Sequence, residues 1–174
     1  MKRLIIVGLG NIGKRYEKTP HNIGFNLIYT LSYKYNLTLK KNLEYNGMYG
    51  EKVITLNQKE FILGLLIPWT FMNNSGLAVK KVAPLLESLD DLLICTDNKD
   101  LSVGTNKLKN QGRSQHHNGI ASIDKHLNTQ IYPRLRIGTG KVKVINENMT
   151  DENIKKCLES AIIECIKWIH NKTG

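Results

Sequence analysis

The run Leu4-Ile5-Ile6-Val7 constrains the fold more than any other feature, because four branched apolar residues in succession offer no face to water. Such a strand has to be buried on both sides, and Gly8 ends it at once. Other segments carry the helical period instead. Apolar residues at Ile23, Leu27, Ile28, Leu31 and Tyr35 predict a helix over 22–35, and a second helix is expected from Asn74 or Ser75, either of which can cap it, towards Leu86. Short strands are expected at 45–50, 52–56 and 61–67, the last stopped by Pro68, then at 92–95, 105–109 and 134–137. A short helix is expected over 119–127. A long amphipathic one closes the chain, with Ile154, Leu158, Ala161, Ile162, Cys165, Trp168 and Ile169 on its apolar face. Strands alternating with helices specify an α/β fold, a mixed central sheet flanked by helices, and 174 residues suit one domain over 1–174.

Twenty-five Lys and Arg against 15 Asp and Glu leave a net charge of +10, so the partner to expect is a polyanion, nucleic acid before an anionic membrane surface. No stretch approaches the roughly 18 to 20 apolar residues of a membrane span, and the first apolar run is too short for the core of an export signal. Cys95, Cys157 and Cys165 are odd in number and sit inside apolar patterns, which reads as reduced core thiols. Neither C-x-x-C nor H-x-x-x-H occurs, so no metal site is expected.

Gly8-Leu9-Gly10-Asn11-Ile12-Gly13 matches a dinucleotide-binding turn in letters only. That turn needs a helix at its last glycine and an acid about 20 residues on to hold a ribose; neither follows here. The glycines are better explained by a tight turn that sets Asn11 above the end of a central strand. Four further polar clusters sit at strand or loop exits: Thr19-Pro20-His21-Asn22, Trp69 to Gly76, Thr96 to Asp100, and His116-His117-Asn118-Gly119. In a parallel or mixed sheet such exits gather along one edge. They supply a base, a carboxylate to orient it and several neutral amides, but no nucleophilic elbow. His21 with Asp97 can deprotonate a water while amides of Asn11, Asn73 or Asn118 hold carbonyls and a developing oxyanion. An ester suits such a site better than an amide. Turn formation and helix capping are the competing explanation for the asparagines.

Taken in order, Ile6 to Asn11, Thr19 with His21 to Gly24, Pro68 to Gly76, Asp97, His117 to Gly119 and Pro133 to Gly138 resemble bacterial-type peptidyl-tRNA hydrolases over about residues 3 to 140. The resemblance implies a cytoplasmic, monomeric α/β enzyme that cleaves the ester between a peptide and the 3′ end of tRNA without cofactor or metal. By the same resemblance His21 is the general base and Asp97 its orienting acid. Asn11, Asn73 and Asn118 position substrate and water, Tyr16 and His117 join the substrate-binding set, and Lys109 and Arg134 hold the 5′ phosphate of the acceptor stem. The ribosome is a further candidate partner. On this view Asp97→Asn falls between the parent and His21→Ala in activity. Departures from the family pattern occur at Ile12 and Pro20, at Asn98-Lys99 after Asp97, over Gln111 to His116, and in a short connection from Lys141 to Thr150. They spare the five central positions. An RNA-binding relative without useful catalysis is the alternative, and the retained His21 and Asp97 argue against it.

Overall fold

The computed structural model describes residues 1–141 and 147–174. Most of the expected short connection after Lys141 therefore lies outside the described residues. Seven strands form one sheet among the described residues: β1 (Lys2–Gly8), β2 (Lys40–Asn42), β3 (Gly47–Leu56), β4 (Lys59–Pro68), β5 (Leu92–Asn98), β6 (Asn106–Lys109) and β7 (Arg134–Gly138). Their order is β2-β3-β4-β1-β5-β7-β6. The inner four, β4, β1, β5 and β7, are parallel, while β3 pairs antiparallel with both β4 and β2, and β6 antiparallel with β7. Helices α1 (Ile23–Lys34) and α4 (Asp151–Thr173) cover one face; α2 (Ser75–Val82) and α3 (Asn118–Leu127) cover the other.

Burial on both sides explains the apolar run in β1. Leu4 and Ile6 pack towards α1 and α4, Ile5 and Val7 towards α2 and α3, and all four are fully buried. The mixed sheet agrees with expectation; three details do not. Residues 45–56 do not hold two strands: from Gly47 onward they form one, β3, paired along its whole length with β4 through Glu51. Strand β2 was not foreseen, because Lys40-Lys41-Asn42 carries no apolar residue. Finally, α2 stops at Val82, where Pro84 turns the chain into a 3-10 turn, and neither Asn74 nor Ser75 caps it: the Ser75 hydroxyl donates to the Met72 carbonyl at 2.7 Å instead.

Helix α1 crosses the end of β1 at a glycine-to-glycine contact. A Cβ on Gly8 would collide with the Gly24 carbonyl, and one on Gly24 with the backbone of Leu9. This close approach is what the first glycines provide, and it brings the start of α1 against the loop after β1. Because β1 lies between β4 and β5, the carboxyl ends of three parallel strands open into one crevice, where α/β sheets bind ligands.

Candidate active site

Pro20, whose fixed φ suits the first position of a helical turn, opens the 3-10 turn Pro20–Asn22 that carries His21. His21 is half-exposed, and its Nδ1 lies 2.8 Å from Oδ2 of Asp97 near the end of β5. No partner of its Nε2 occurs among the described residues. Asp97 is almost wholly buried. Burial opposes its charge, but hydrogen bonds from His117 and then His21 outweigh that and hold the carboxyl well below the usual range. The bond to Asp97 in turn raises His21 above the ordinary imidazole value, against burial and the nearby Lys99 cation.

His117 occupies a place the sequence did not reveal. Its Nδ1 accepts the backbone N–H groups of Gly119 at 3.1 Å and Ile120 at 3.3 Å, capping α3. With Nδ1 fixed as acceptor, Nε2 carries the proton and donates to Asp97 Oδ1 at 2.8 Å. The buried Thr96 hydroxyl donates to the same oxygen at 3.2 Å. Asp97 thus receives His21 on one oxygen and His117 with Thr96 on the other. His117 is a partner of the carboxylate before it is a substrate contact.

Asn11 is held from both sides. Its backbone N–H donates to Asn22 Oδ1 at 2.7 Å, and Asn22 Nδ2 donates back to its carbonyl at 3.0 Å. Asn22 is 3% exposed, and this double bridge, not a helix cap, is its role. The Asn11 Oδ1 accepts the Met72 N–H at 2.7 Å, which fixes the side chain and leaves its NH2 without a partner among the described residues. Asn73, in the 3-10 turn Met72–Asn74, and Asn118, the first residue of α3, are exposed with side chains that have no partner among the described residues. His21, Asp97, His117, Asn11, Asn73 and Asn118 border one cleft of about 380 Å³ with Phe71, Lys99 and Arg136. His21, Asp97 and His117 also offer ligand atoms within 4.8 Å of one another, the one grouping of metal-ligand type among the described residues. One nitrogen of each imidazole already bonds to Asp97.

The model of the family described as peptidyl-tRNA hydrolase matches residues 5–170. The chain belongs to the peptidyl-tRNA hydrolase family. It is 42% identical to the peptidyl-tRNA hydrolase of Mycoplasma mycoides subsp. mycoides, covering 98% of this chain and 92% of that protein. It is 47% identical to that of Mycoplasma capricolum subsp. capricolum over 79% of this chain and 72% of that protein. A crystal structure of peptidyl-tRNA hydrolase from Acinetobacter baumannii superposes with a TM-score of 0.77 at 27% identity, covering 95% and 93% of the two chains.

The remaining positions that peptidyl-tRNA hydrolases brought into view fall around this cleft. Tyr16 packs edge-on against Phe71 at 6.4 Å, with the Arg15 guanidinium over its ring, so it touches the cleft only through Phe71. Lys109, exposed at the end of β6, borders a second cavity of about 580 Å³ that shares Gln115, His116 and Arg136 with the cleft. Arg134 is on the floor of that cavity, but it is 1% exposed. Its Nη2 donates to the Gln130 carbonyl at 2.6 Å and its guanidinium stacks 4.1 Å from the Tyr132 ring centre. Arg134 thus holds the 130–134 segment through Nη2, while its buried Nη1 has no partner among the described residues. Arg136, missed in the sequence, is buried beside it and donates to the Arg113 carbonyl at 2.6 Å. Gln115 and His116 adopt left-handed φ of 52° and 65°, where residues with a Cβ are strained. Among the described residues no helix is long and apolar enough to cross a membrane.

Proposed function

We propose that this protein hydrolyses the ester joining a peptide to the 3′-terminal ribose of tRNA. The observation that carries the proposal is the His21 Nδ1 to Asp97 Oδ2 contact of 2.8 Å, which leaves His21 Nε2 open to the cleft. In this reading Nε2 removes a proton from a water, and the oxygen attacks the ester carbonyl carbon. Asp97 holds the Nδ1 proton and stabilises the imidazolium that forms. The tetrahedral oxyanion receives N–H groups from Asn11, Asn73 or Asn118. Its collapse breaks the bond to the ribose 3′ oxygen, which takes the proton back from Nε2; free tRNA leaves with a peptide carboxylic acid, which gives its proton to solvent.

The net charge of +10 and the cavity bordered by Lys109, Arg113 and Arg136 support an RNA acceptor stem as the part of the substrate that lies beside the cleft. Residues 1–174 are taken as one domain acting as a cytoplasmic monomer. The test is hydrolysis of N-acetyl-aminoacyl-tRNA and of free aminoacyl-tRNA by the parent and by His21→Ala. The parent is expected to release tRNA from the blocked substrate, and His21→Ala to be slower by on the order of 10² to 10⁴. A His21→Ala protein as fast as the parent overturns the mechanism.

A further inference from the structure

Three cavities lie side by side and share walls. The catalytic cleft meets the basic cavity through Gln115, His116 and Arg136, and through Asn11 it meets a third cavity of about 420 Å³ that shares no residue with the basic one. Ile12, Phe25, Tyr29 and Trp69 give this third cavity an aromatic and aliphatic lining; Lys14 and Glu17, of opposite charge, also line it. Phe25 is buried, while Tyr29 and Trp69 are each 47% exposed, so both rings have apolar surface left that a ligand could take out of water. Trp69 is fixed at the mouth because its backbone N–H donates to the Asn46 carbonyl at 2.8 Å. The wall between this cavity and the cleft is built, since Met72 N–H donates to Asn11 Oδ1 at 2.7 Å and Ile12 N–H to the Thr70 carbonyl at 3.2 Å.

Resting on the function proposed above, we infer that the cleft of Trp69 and Tyr29 takes an apolar side chain of the peptide, one to three residues before the esterified one. A peptidyl ester bound at His21 has two ends to dispose of. The polyanionic end belongs with the cations of the second cavity, and a third cavity whose one lysine is balanced by Glu17 has nothing to offer successive phosphates. The peptide, uncharged along its backbone, then runs the other way, past Asn11. One to three extended residues at about 3.3–3.6 Å each are enough to cross a wall one asparagine thick. Burying a leucine or phenylalanine side chain against two half-exposed rings is expected to favour binding by roughly ten- to a hundredfold.

The experiment compares N-acetyl-tripeptidyl-tRNAs that carry Leu or Gly in the two positions before the esterified residue, with the parent, Trp69→Ala and Tyr29→Ser. The parent is expected to prefer the leucine substrate about tenfold in kcat/KM, mainly through KM, and both variants to bring that ratio close to one. Affinity measured on His21→Ala gives the same comparison without turnover, so an inactive parent would count against the proposed function and not against the cleft. An unchanged leucine preference in both variants overturns the inference. So does an equal weakening of every substrate and of deacylated tRNA, which would mean that the rings stack on the terminal base.

Discussion

Asp97→Asn tests the site most sharply, because the hydrogen-bond network dictates which way the new amide must point. His117 Nδ1 is held by two backbone N–H groups, so its Nε2 can only donate, and the Thr96 hydroxyl donates to the same oxygen. The amide oxygen must face that pair, which turns the NH2 group towards His21. His21 Nδ1 then has to accept, its proton moves to Nε2, and the atom that should take a proton from water already carries one. Turning the amide the other way sets NH2 against the Nε2–H of a nearly buried His117, which keeps only the Thr96 hydroxyl oxygen at 2.9 Å, a mispairing worth about 1–3 kcal/mol. At about 1.4 kcal/mol per factor of ten, the working tautomer falls roughly 5- to 150-fold, before the loss of the charge that favours imidazolium is counted. Asp97→Asn should therefore approach His21→Ala in rate, below the intermediate place that the sequence alone assigns to it. Adding His117→Ala frees the amide to turn, and the double variant should recover about tenfold over Asp97→Asn despite losing the α3 cap, which costs about 0.5–2 kcal/mol of stability. The assay is kcat/KM for N-acetyl-aminoacyl-tRNA with thermal unfolding as a control for folding. An Asp97→Asn protein retaining more than about a fifth of the parent rate, or a double variant no faster than the single one, refutes this account.

The acid limb of kcat/KM should have its midpoint above about 6.5, because Asp97 raises His21; a midpoint at or below that value would detach the pair. Asp97, held below the usual carboxylate range, adds stability that is present above about pH 3.9 and lost as pH falls, whereas raised His21 adds stability present below about 6.5 and lost as pH rises through its folded value. Urea unfolding should therefore show a shallower loss below pH 4 in Asp97→Asn than in the parent. Lys109→Ala should lower the salt slope of tRNA binding by about one and leave the melting temperature unchanged, while Arg134→Ala should lower the melting temperature, since it empties a buried site and removes the Gln130 and Tyr132 contacts. Equal melting temperatures for the two would place the Arg134 guanidinium in solvent. Gln115→Gly and His116→Gly should each be neutral to stabilising by up to about 1 kcal/mol, because relief of left-handed strain exceeds the entropy glycine adds to the unfolded chain; clear destabilisation in thermal melts would mean that the loop takes another conformation.

The gathering of His21, Asp97, Asn11, Asn73 and Asn118 was legible because polar residues that interrupt apolar strands have few places to go except the strand exits. What the sequence hid are pairings across the chain. His117 and Asp97 are 20 residues apart, and only the parallel placement of β5 beside the start of α3 brings them together. Arg134 and Arg136 look like the wet face of an alternating strand, yet β7 lies between β5 and β6, and carbonyls of Gln130 and Arg113 bind the guanidinium groups from inside. Asn22 reads as a cap by residue type, and it became a bridge because Gly8 and Gly24 let α1 approach the loop after β1 closely enough to satisfy both its polar atoms.

The commitments of the two central asparagines divide their possible work. Asn11 uses one lone pair of its oxygen on Met72 N–H, and its NH2 has no partner among the described residues, so it meets substrate first as a donor, suited to a carbonyl or an oxyanion. Asn73 is exposed and keeps both a donor and an acceptor. If a blocked α-nitrogen is to be told from a free ammonium, the acceptor that meets its N–H is best supplied by Asn73, by Asn118 or by a backbone carbonyl, while the Asn11 NH2 reads the carbonyl beside it. The same rigidity explains why Asn22 is buried so completely. A donor that must meet developing negative charge is useful only if it does not swing away, and two bonds from Asn22 and one from Met72 hold Asn11 before any substrate arrives.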